Sequence, residues 1–227
     1  MKVSPIPVPA PIQACMFRHL IGAAVFTCAL LQASCISNHA SGRVEMISKA
    51  ENPVRVDMRF EHGSYSVEPS DTSFYLSNLT LEELLEKPKS DAQILHAQLL
   101  WTPKPGATPV DPTATNLTLR LAIFVDGELG IYGGAGFAWP SGSVGEGPVE
   151  LEIVGSTLTL LHSTEGFRDL LSPVLLVGQI SAPLDPVRTL RTRQAASQMV
   201  TDRLGRTQWV REALSSFEEQ VALRADP

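Results

Sequence analysis

The segment spanning residues 115–139 constrains the fold most strongly, because it predicts two long neighbouring β-strands. Its first half carries large aliphatic side chains at alternate positions: Leu117, Leu119, Leu121, Ile123 and Val125. Alternation of this kind places one set of side chains on a buried face of a sheet. Asp126-Gly127 follows directly, and this dipeptide between two apolar runs is a strong hairpin signal. The sequence therefore predicts a β-hairpin in the middle of the domain.

The register of this hairpin depends on the length of its loop. A two-residue loop would place Leu129 on the face opposite to Ile123, whereas a three-residue loop over residues 125–127 would pair them. A shift of one residue moves every side chain of a strand to the other face. Keeping all large aliphatic side chains on one face therefore predicts the three-residue loop, with Gly127 at a positive φ.

Further segments have the length and alternation of β-strands and are separated by turn residues. They are residues 54–60, 73–77, 92–101, 149–153, 157–160 and 174–181, with Gly155-Ser156 as the turn of a second hairpin. The 17 prolines and 16 glycines are also typical of a chain with many turns. We therefore expect a mainly β fold, an antiparallel β-sandwich or barrel-like domain.

Helix signals are confined to two places. Thr80 and Glu83 have the capping-box spacing and predict a short helix near residues 80–87. Asp185, followed by a proline, predicts the N-terminus of a longer helix, and a second amphipathic pattern begins at residue 207. The C-terminal helices are expected to pack on the sheet, and packing of the second helix on a partner is the alternative.

The N-terminal region has the features of an export signal. A short apolar run over residues 20–31 follows Arg18, and it is too short to span a bilayer. The run ends in Leu-Gln-Ala-Ser-Cys, which resembles the lipobox of bacterial lipoproteins, with Cys35 as the residue that becomes lipidated. The resemblance covers only residues 16–35, and an ordinary secretory signal is the alternative. Met16 begins a compact signal by itself, so translation starting there is also expected.

The cysteines agree with this interpretation. Cys15, Cys28 and Cys35 are the only three in the chain, so the exported domain is expected to contain neither a disulfide nor a cysteine metal site. The domain organisation that follows is a signal peptide over 1–34, a lipidated tether over 35–52, a β-rich domain over 53–183 and a helical segment over 184–227. The resemblance implies attachment to a membrane through the lipid anchor, on the extracytoplasmic side of the cell envelope, and at the outer membrane if the cell has two membranes.

Searches for catalytic, metal and cofactor motifs assign no residue to such a role. His96 and His162 are placed on strands among aliphatic residues, where ordinary packing is the expected role and a shared metal site across the sheet is the alternative. The glycine-rich residues 133–148 are not followed by the Gly-Lys-Ser/Thr of a phosphate loop. No cofactor is therefore predicted, and the net charge of −6 argues against nucleic-acid binding.

One candidate contact surface emerges from the aromatic residues. Phe137 and Trp139 lie in the glycine-rich segment 133–148, which is predicted to be a loop after the central hairpin. Loops on a rigid sheet often carry binding residues, and tryptophan is frequent in contact hot spots. The alternative is that the two rings plug one end of the barrel or sandwich.

Three functional classes follow from the sequence. A non-catalytic envelope lipoprotein with a structural or binding role, including binding of an envelope protein, is favoured by the N-terminal region. A small-ligand or lipid carrier would instead need a pocket inside a β-barrel. An extracytoplasmic hydrolase would need a site assembled from residues that are distant in sequence.

Overall fold

The computed structural model describes residues 39–86, 91–104 and 114–209. These residues form nine β-strands and two α-helices. The strands are β1 (Ser41–Ser48), β2 (Arg55–Phe60), β3 (His62–Val67), β4 (Thr72–Ser77), β5 (Ala92–Leu99), β6 (Leu117–Val125), β7 (Glu128–Ser141), β8 (Val149–Ser163) and β9 (Val174–Ala182). The helices are α1 (Leu81–Leu85) and α2 (Pro186–Leu204). The predicted mainly β class is confirmed.

All nine strands belong to one antiparallel sheet in the order β2-β1-β9-β8-β7-β6-β5-β4-β3. The two edge strands, β2 and β3, are separated in sequence only by Glu61. The sheet must therefore curl until its two edges meet at that residue. Beyond the meeting point, the Tyr65 N–H donates to the Pro183 carbonyl at 2.9 Å, and the Asp185 N–H donates to the Tyr65 carbonyl at 3.0 Å. The result is a half-barrel rather than two packed sheets.

The concave inner face of the sheet is filled by apolar side chains. Tyr65 stacks on Phe74 with 4.9 Å between ring centroids, and both rings are fully buried. Each strand contributes alternate residues to this core, including Val44, Met46, Met58, Phe60, Leu76, Leu95, Leu119, Leu121, Leu151, Leu158 and Ile180. Leu117, Leu119, Leu121 and Ile123 of β6 face this core, as predicted from their spacing, whereas Val125 at the end of the strand is 37% exposed.

The two helices cover one part of the convex outer face. A second apolar cluster joins them to strands β4–β7, and it contains Tyr75, Leu84, Ile94, Ala122, Phe124, Leu129, Ile131, Ala196, Met199 and Val200. The capping box at Thr80 and Glu83 is present, and Asp185 caps α2 by accepting from the Arg188 N–H. Gly205 ends α2 in the left-handed conformation. Both helix predictions are confirmed for these residues.

The predicted register of the central hairpin is wrong. Val125 pairs with Glu128 and Phe124 with Leu129, so the loop has two residues and Ile123 lies on the face opposite to Leu129. Gly127 has the predicted positive φ, 83°, but Asp126 is also positive at 50°, as in a type I′ turn. The reason is that α2 buries the outer face, so large aliphatic side chains are required on both faces here.

The expected tether over residues 35–52 is wrong for Ser41–Ser48, which form strand β1. This strand lies between β2 and β9, and its Val44 and Met46 side chains are fully buried. The outward positions of this strand are mostly polar, with Ser41, Arg43 and Glu45, and Ile47 is the exception. The β-rich domain therefore begins before residue 53.

Two predicted loops are parts of long strands. Gly155-Ser156 does not form a turn, because β8 runs through it with a register shift between Ile153 and Ser156. Residues 133–141 of the predicted glycine-rich loop belong to β7. A Cβ atom at Gly134 would come within 1.9 Å of the Thr157 carbonyl oxygen, so this glycine allows the two strands to approach closely.

Several predictions lie outside the described residues. These are the signal peptide, the lipidation site at Cys35, and nearly all of the second C-terminal helix. Among the residues that the structure describes, none of the helices combines the length and the apolar composition needed to cross a bilayer.

Candidate binding cleft on the outer face

A cleft of about 560 Å³ opens on the outer face of the sheet, beside the part that α2 covers. Strand pairing explains its floor, which consists of two rows of side chains across three strands. Tyr75, His96 and Arg120 form one row, and Ser73, Gln98 and Thr118 form the other. The walls are completed by side chains from α2, β8 and the segment after α2, and by the backbone of Gly133 and Gly134 of β7.

His96 is the most strongly perturbed group in the cleft. Its ring is buried and stacks on Tyr75, with 4.4 Å between centroids and 16° between planes. Burial lowers the pKa of His96 to about 3, because the protonated ring would lose its hydration, and the nearby Arg120 guanidinium acts in the same direction. His96 is therefore neutral at physiological pH.

The polar contacts of His96 do not have the order of a nucleophilic triad. Its Nε2 lies 3.5 Å from Ser73 Oγ, and Ser73 Oγ donates to Asp71 Oδ1 at 3.3 Å. In a catalytic triad the histidine stands between the serine and the carboxylate, accepting from one and donating to the other. Here Ser73 stands between, so its hydroxyl proton is directed at the carboxylate and its oxygen is not activated.

Arg120 connects the cleft floor to the segment after α2. Its Nη1 donates to the Gln208 carbonyl oxygen at 3.3 Å and also to the Trp209 carbonyl oxygen. These bonds hold Trp209 against the sheet, where its ring is fully buried. Both bonds use Nη1, which is one of the three nitrogens of the guanidinium group.

Two donors of the cleft have no acceptor among the described residues. Trp209 Nε1 is buried and has no hydrogen-bond partner within the part of the chain that the structure describes. It lies towards the Tyr75 hydroxyl but does not reach hydrogen-bond geometry with it. Arg193, half-buried on α2, also lines the cleft and forms no ion pair or hydrogen bond with any side chain in residues 39–86, 91–104 or 114–209. The indole N–H of Trp209 and the guanidinium of Arg193 therefore line the cleft without an acceptor from the described residues.

The opposite end of the cleft is acidic. Glu68 is exposed at the rim, and Asp71 is half-buried. Asp71 also accepts from Ser70 Oγ at 3.1 Å, so its carboxylate is already hydrogen-bonded within its own turn. The cleft thus has donors and positive charge on one side and acceptors and negative charge on the other.

The predicted contact residues lie beyond this cleft, on strand β7 and not on a loop. Phe137 is buried at 9% exposure, whereas Trp139 is half-buried. Phe137 meets Trp139 edge to face at 5.1 Å and Trp101 at 6.1 Å. Trp101 is 42% exposed and donates from Nε1 to the Thr115 carbonyl oxygen. Phe137 is therefore mainly a packing residue, and Trp101 and Trp139 form the accessible part of the cluster.

The structure does not bring the strand histidines together. His96 lies in the cleft, whereas His162 pairs with Ile131 at the far end of β8. Within the described ranges, His, Cys, Asp and Glu side chains form no group of three or more that could hold a metal ion.

Sequence reasoning missed the cleft residues Arg120, Arg193 and Trp209. Arg120 was visible as the one charged side chain among the outward residues of the central strand. The other two come from the C-terminal region, and only tertiary packing places them beside that strand. Comparisons with protein families, with curated proteins and with solved structures find no match to this chain.

Proposed function

We propose that this chain is a non-catalytic lipoprotein of the bacterial cell envelope whose sheet domain binds a ligand or a partner. The anchoring part rests on the short apolar run, the lipobox-like residues and the single cysteine, Cys35, at their end. The binding part rests on the outer-face cleft. Its volume of about 560 Å³ lies within the range of small-molecule sites.

The observation that supports a binding role over a hydrolytic one is the state of His96. A general base requires a pKa near the working pH. Burial lowers the pKa of His96 to about 3, and its serine neighbour donates to Asp71. His96 therefore lacks the properties of a general base.

The inner face of the sheet gives no support to the lipid-carrier alternative. A carrier needs inward side chains that leave space for an apolar ligand. Four of the described inward residues, Tyr65, Phe74, Leu95 and Leu119, are at most 1% exposed and belong to one packed apolar core.

Membrane fractionation of the full chain in a bacterial host tests the proposal. We expect the wild type in the membrane fraction, labelled by a fatty-acid analogue, and Cys35→Ala in the soluble fraction without label. Cys28→Ala is the matched control, because that cysteine lies inside the apolar run, and it should behave as the wild type. A wild-type chain that is soluble and unlabelled would contradict the proposal.

A further inference from the structure

We infer that the outer-face cleft binds a small polar molecule through a single oxyanion, a carboxylate or a phosphate ester, held by Arg193, Arg120 and the indole N–H of Trp209. This inference deepens the proposed binding role and rests on it. It goes further by naming the chemistry of the ligand and the side chains that recognise it.

The buried indole N–H of Trp209 points to a ligand that carries a hydrogen-bond acceptor. A buried donor without an acceptor is costly, and native proteins rarely leave one unsatisfied. Trp209 is fully buried and lines the cleft. Among the described residues, none accepts from its Nε1 in hydrogen-bond geometry, although the Tyr75 hydroxyl lies nearby. A ligand oxygen in the cleft would supply the missing acceptor.

The two guanidinium groups favour a negatively charged oxygen as that ligand atom. Arg193 has no hydrogen-bond or ion-pair partner among residues 39–86, 91–104 and 114–209, and it lines the same cleft as Arg120. Arginine recognises planar carboxylate and phosphate oxygens through several N–H groups at once. Hydrogen bonds to a charged acceptor in a partly desolvated cleft are also stronger than those to a neutral one.

The rest of the cleft limits how many charges the ligand carries. Glu68 and Asp71 at the opposite end would repel a second anionic group. Between the two ends lie Ser73, Gln98 and Thr118, with Thr118 Oγ1 donating to Gln98 Oε1 at 3.2 Å. These neutral groups suit hydroxyl or amide groups of the ligand. The pattern fits an acidic monosaccharide, with one oxyanion and several hydroxyl groups.

Isothermal titration of the purified full chain in detergent tests the inference with four probes. Glucuronate carries a carboxylate, glucose 6-phosphate a phosphate ester, glucose neither, and inorganic phosphate has no sugar. We expect saturable binding of glucuronate, of glucose 6-phosphate, or of both, at least about tenfold tighter than glucose, since a charge-assisted hydrogen bond contributes at least that factor. Comparison of the two sugars with inorganic phosphate identifies whether a carboxylate or a phosphate, free or esterified, is the group recognised.

Two variants with controls connect binding to the proposed residues. Arg193→Gln should weaken binding at least about tenfold, whereas Arg191→Gln, on the exposed side of α2, should leave it unchanged. Trp209→Phe keeps an aromatic side chain but removes the N–H, so it should also weaken binding. In a ¹⁵N spectrum, the indole signal of Trp209 should shift on binding while that of Trp101 stays in place.

The inference is overturned if none of the acidic probes binds, if glucose binds equally well, or if Arg193→Gln and Trp209→Phe both bind as the wild type. Thermal melts of each variant show that the fold is retained. Membrane fractionation is independent of these binding measurements. A lipidated chain that binds none of the four probes would contradict the oxyanion inference but would still support the anchoring proposal.

Discussion

Asn116 is joined to Ala138 of β7 by two hydrogen bonds through its side-chain amide. Nδ2 donates to the Ala138 carbonyl oxygen at 2.9 Å, and Oδ1 accepts from the Ala138 N–H at 2.8 Å. The amide thus continues the pairing of β7 with β6 past the first residue of β6, at the point where the register with β8 shifts. Asn116 is fully buried, so these backbone groups have no access to water.

Asn116→Ala is therefore expected to lower the free energy of unfolding by about 2–4 kcal/mol, because it leaves a buried N–H and a buried carbonyl unpaired. Asn78→Ala is the matched control. Asn78 makes the same kind of paired contact, to the Asp91 carbonyl and the Gln93 N–H, but it is partly exposed. Urea denaturation measures both. Equal losses in the two variants would contradict the importance of burial.

The central hairpin gives a second prediction. Gly127 has φ 83° and Asp126 has φ 50°, so Gly127→Val and Asp126→Val should each destabilise the protein by about 1–3 kcal/mol. Asp126→Gly should change stability by less than about 1 kcal/mol, since glycine adopts positive φ freely. Thermal melts check this. A hairpin with the three-residue loop would tolerate Asp126→Val, so a neutral result there would contradict the two-residue turn.

The failure of the register prediction has a physical cause that the local sequence did not contain. Alternation correctly identified β6, its inner face and the turn. However, Phe124 and Leu129 are outward and buried only because Ala196 and its neighbours on α2 pack over them. A rule that assigns all large aliphatic side chains to one face cannot apply where a later helix creates a second core.

The candidate site was also predictable from the sequence only in part, because its strands follow from local patterns but their alignment does not. Tyr75, His96 and Arg120 could each be placed on a strand from the sequence, but their alignment in one row depends on the register between β4, β5 and β6. Arg193 reaches that row through the docking of α2. Local patterns therefore supplied the individual strands, and non-local packing determined the site.

The buried histidine makes stability depend on pH. The pKa of His96 is lowered from 6.5 to about 3 in the folded protein, so between these values the unfolded chain binds a proton that the folded one excludes. The contribution is therefore fully present above pH 6.5 and is lost as the pH falls, by about 1.4 kcal/mol per pH unit. His96→Phe should reduce this slope between pH 6 and pH 4 in urea denaturation.

Tyr75→Phe is the control for that measurement, because it retains the stacked ring and burial raises the pKa of Tyr75 to about 12, far from this range. Its slope should equal that of the wild type. If His96→Phe retains the full slope, His96 is not the group responsible and its ring is accessible to protons in the folded state.

The aromatic cluster provides the last prediction, because its three rings differ in burial. Phe137 is 9% exposed and touches both tryptophans, whereas Trp101 is 42% exposed. Phe137→Ala should therefore lower the free energy of unfolding by about 3 kcal/mol, and Trp101→Ala by less than about 1 kcal/mol.

A contact role for this cluster can then be separated from a packing role. Trp101→Ala combined with Trp139→Ala removes most of the accessible aromatic surface, and both substitutions lie outside the cleft. If the cluster contacts an envelope protein, crosslinking in intact cells should lose a discrete adduct in the double variant, while membrane fractionation and the melting temperature change little. Val154→Ala is the control, since it removes a 52% exposed apolar side chain elsewhere on the sheet. An unchanged crosslinking pattern in the double variant would contradict the contact role, and the rings would then serve only to pack this end of β7.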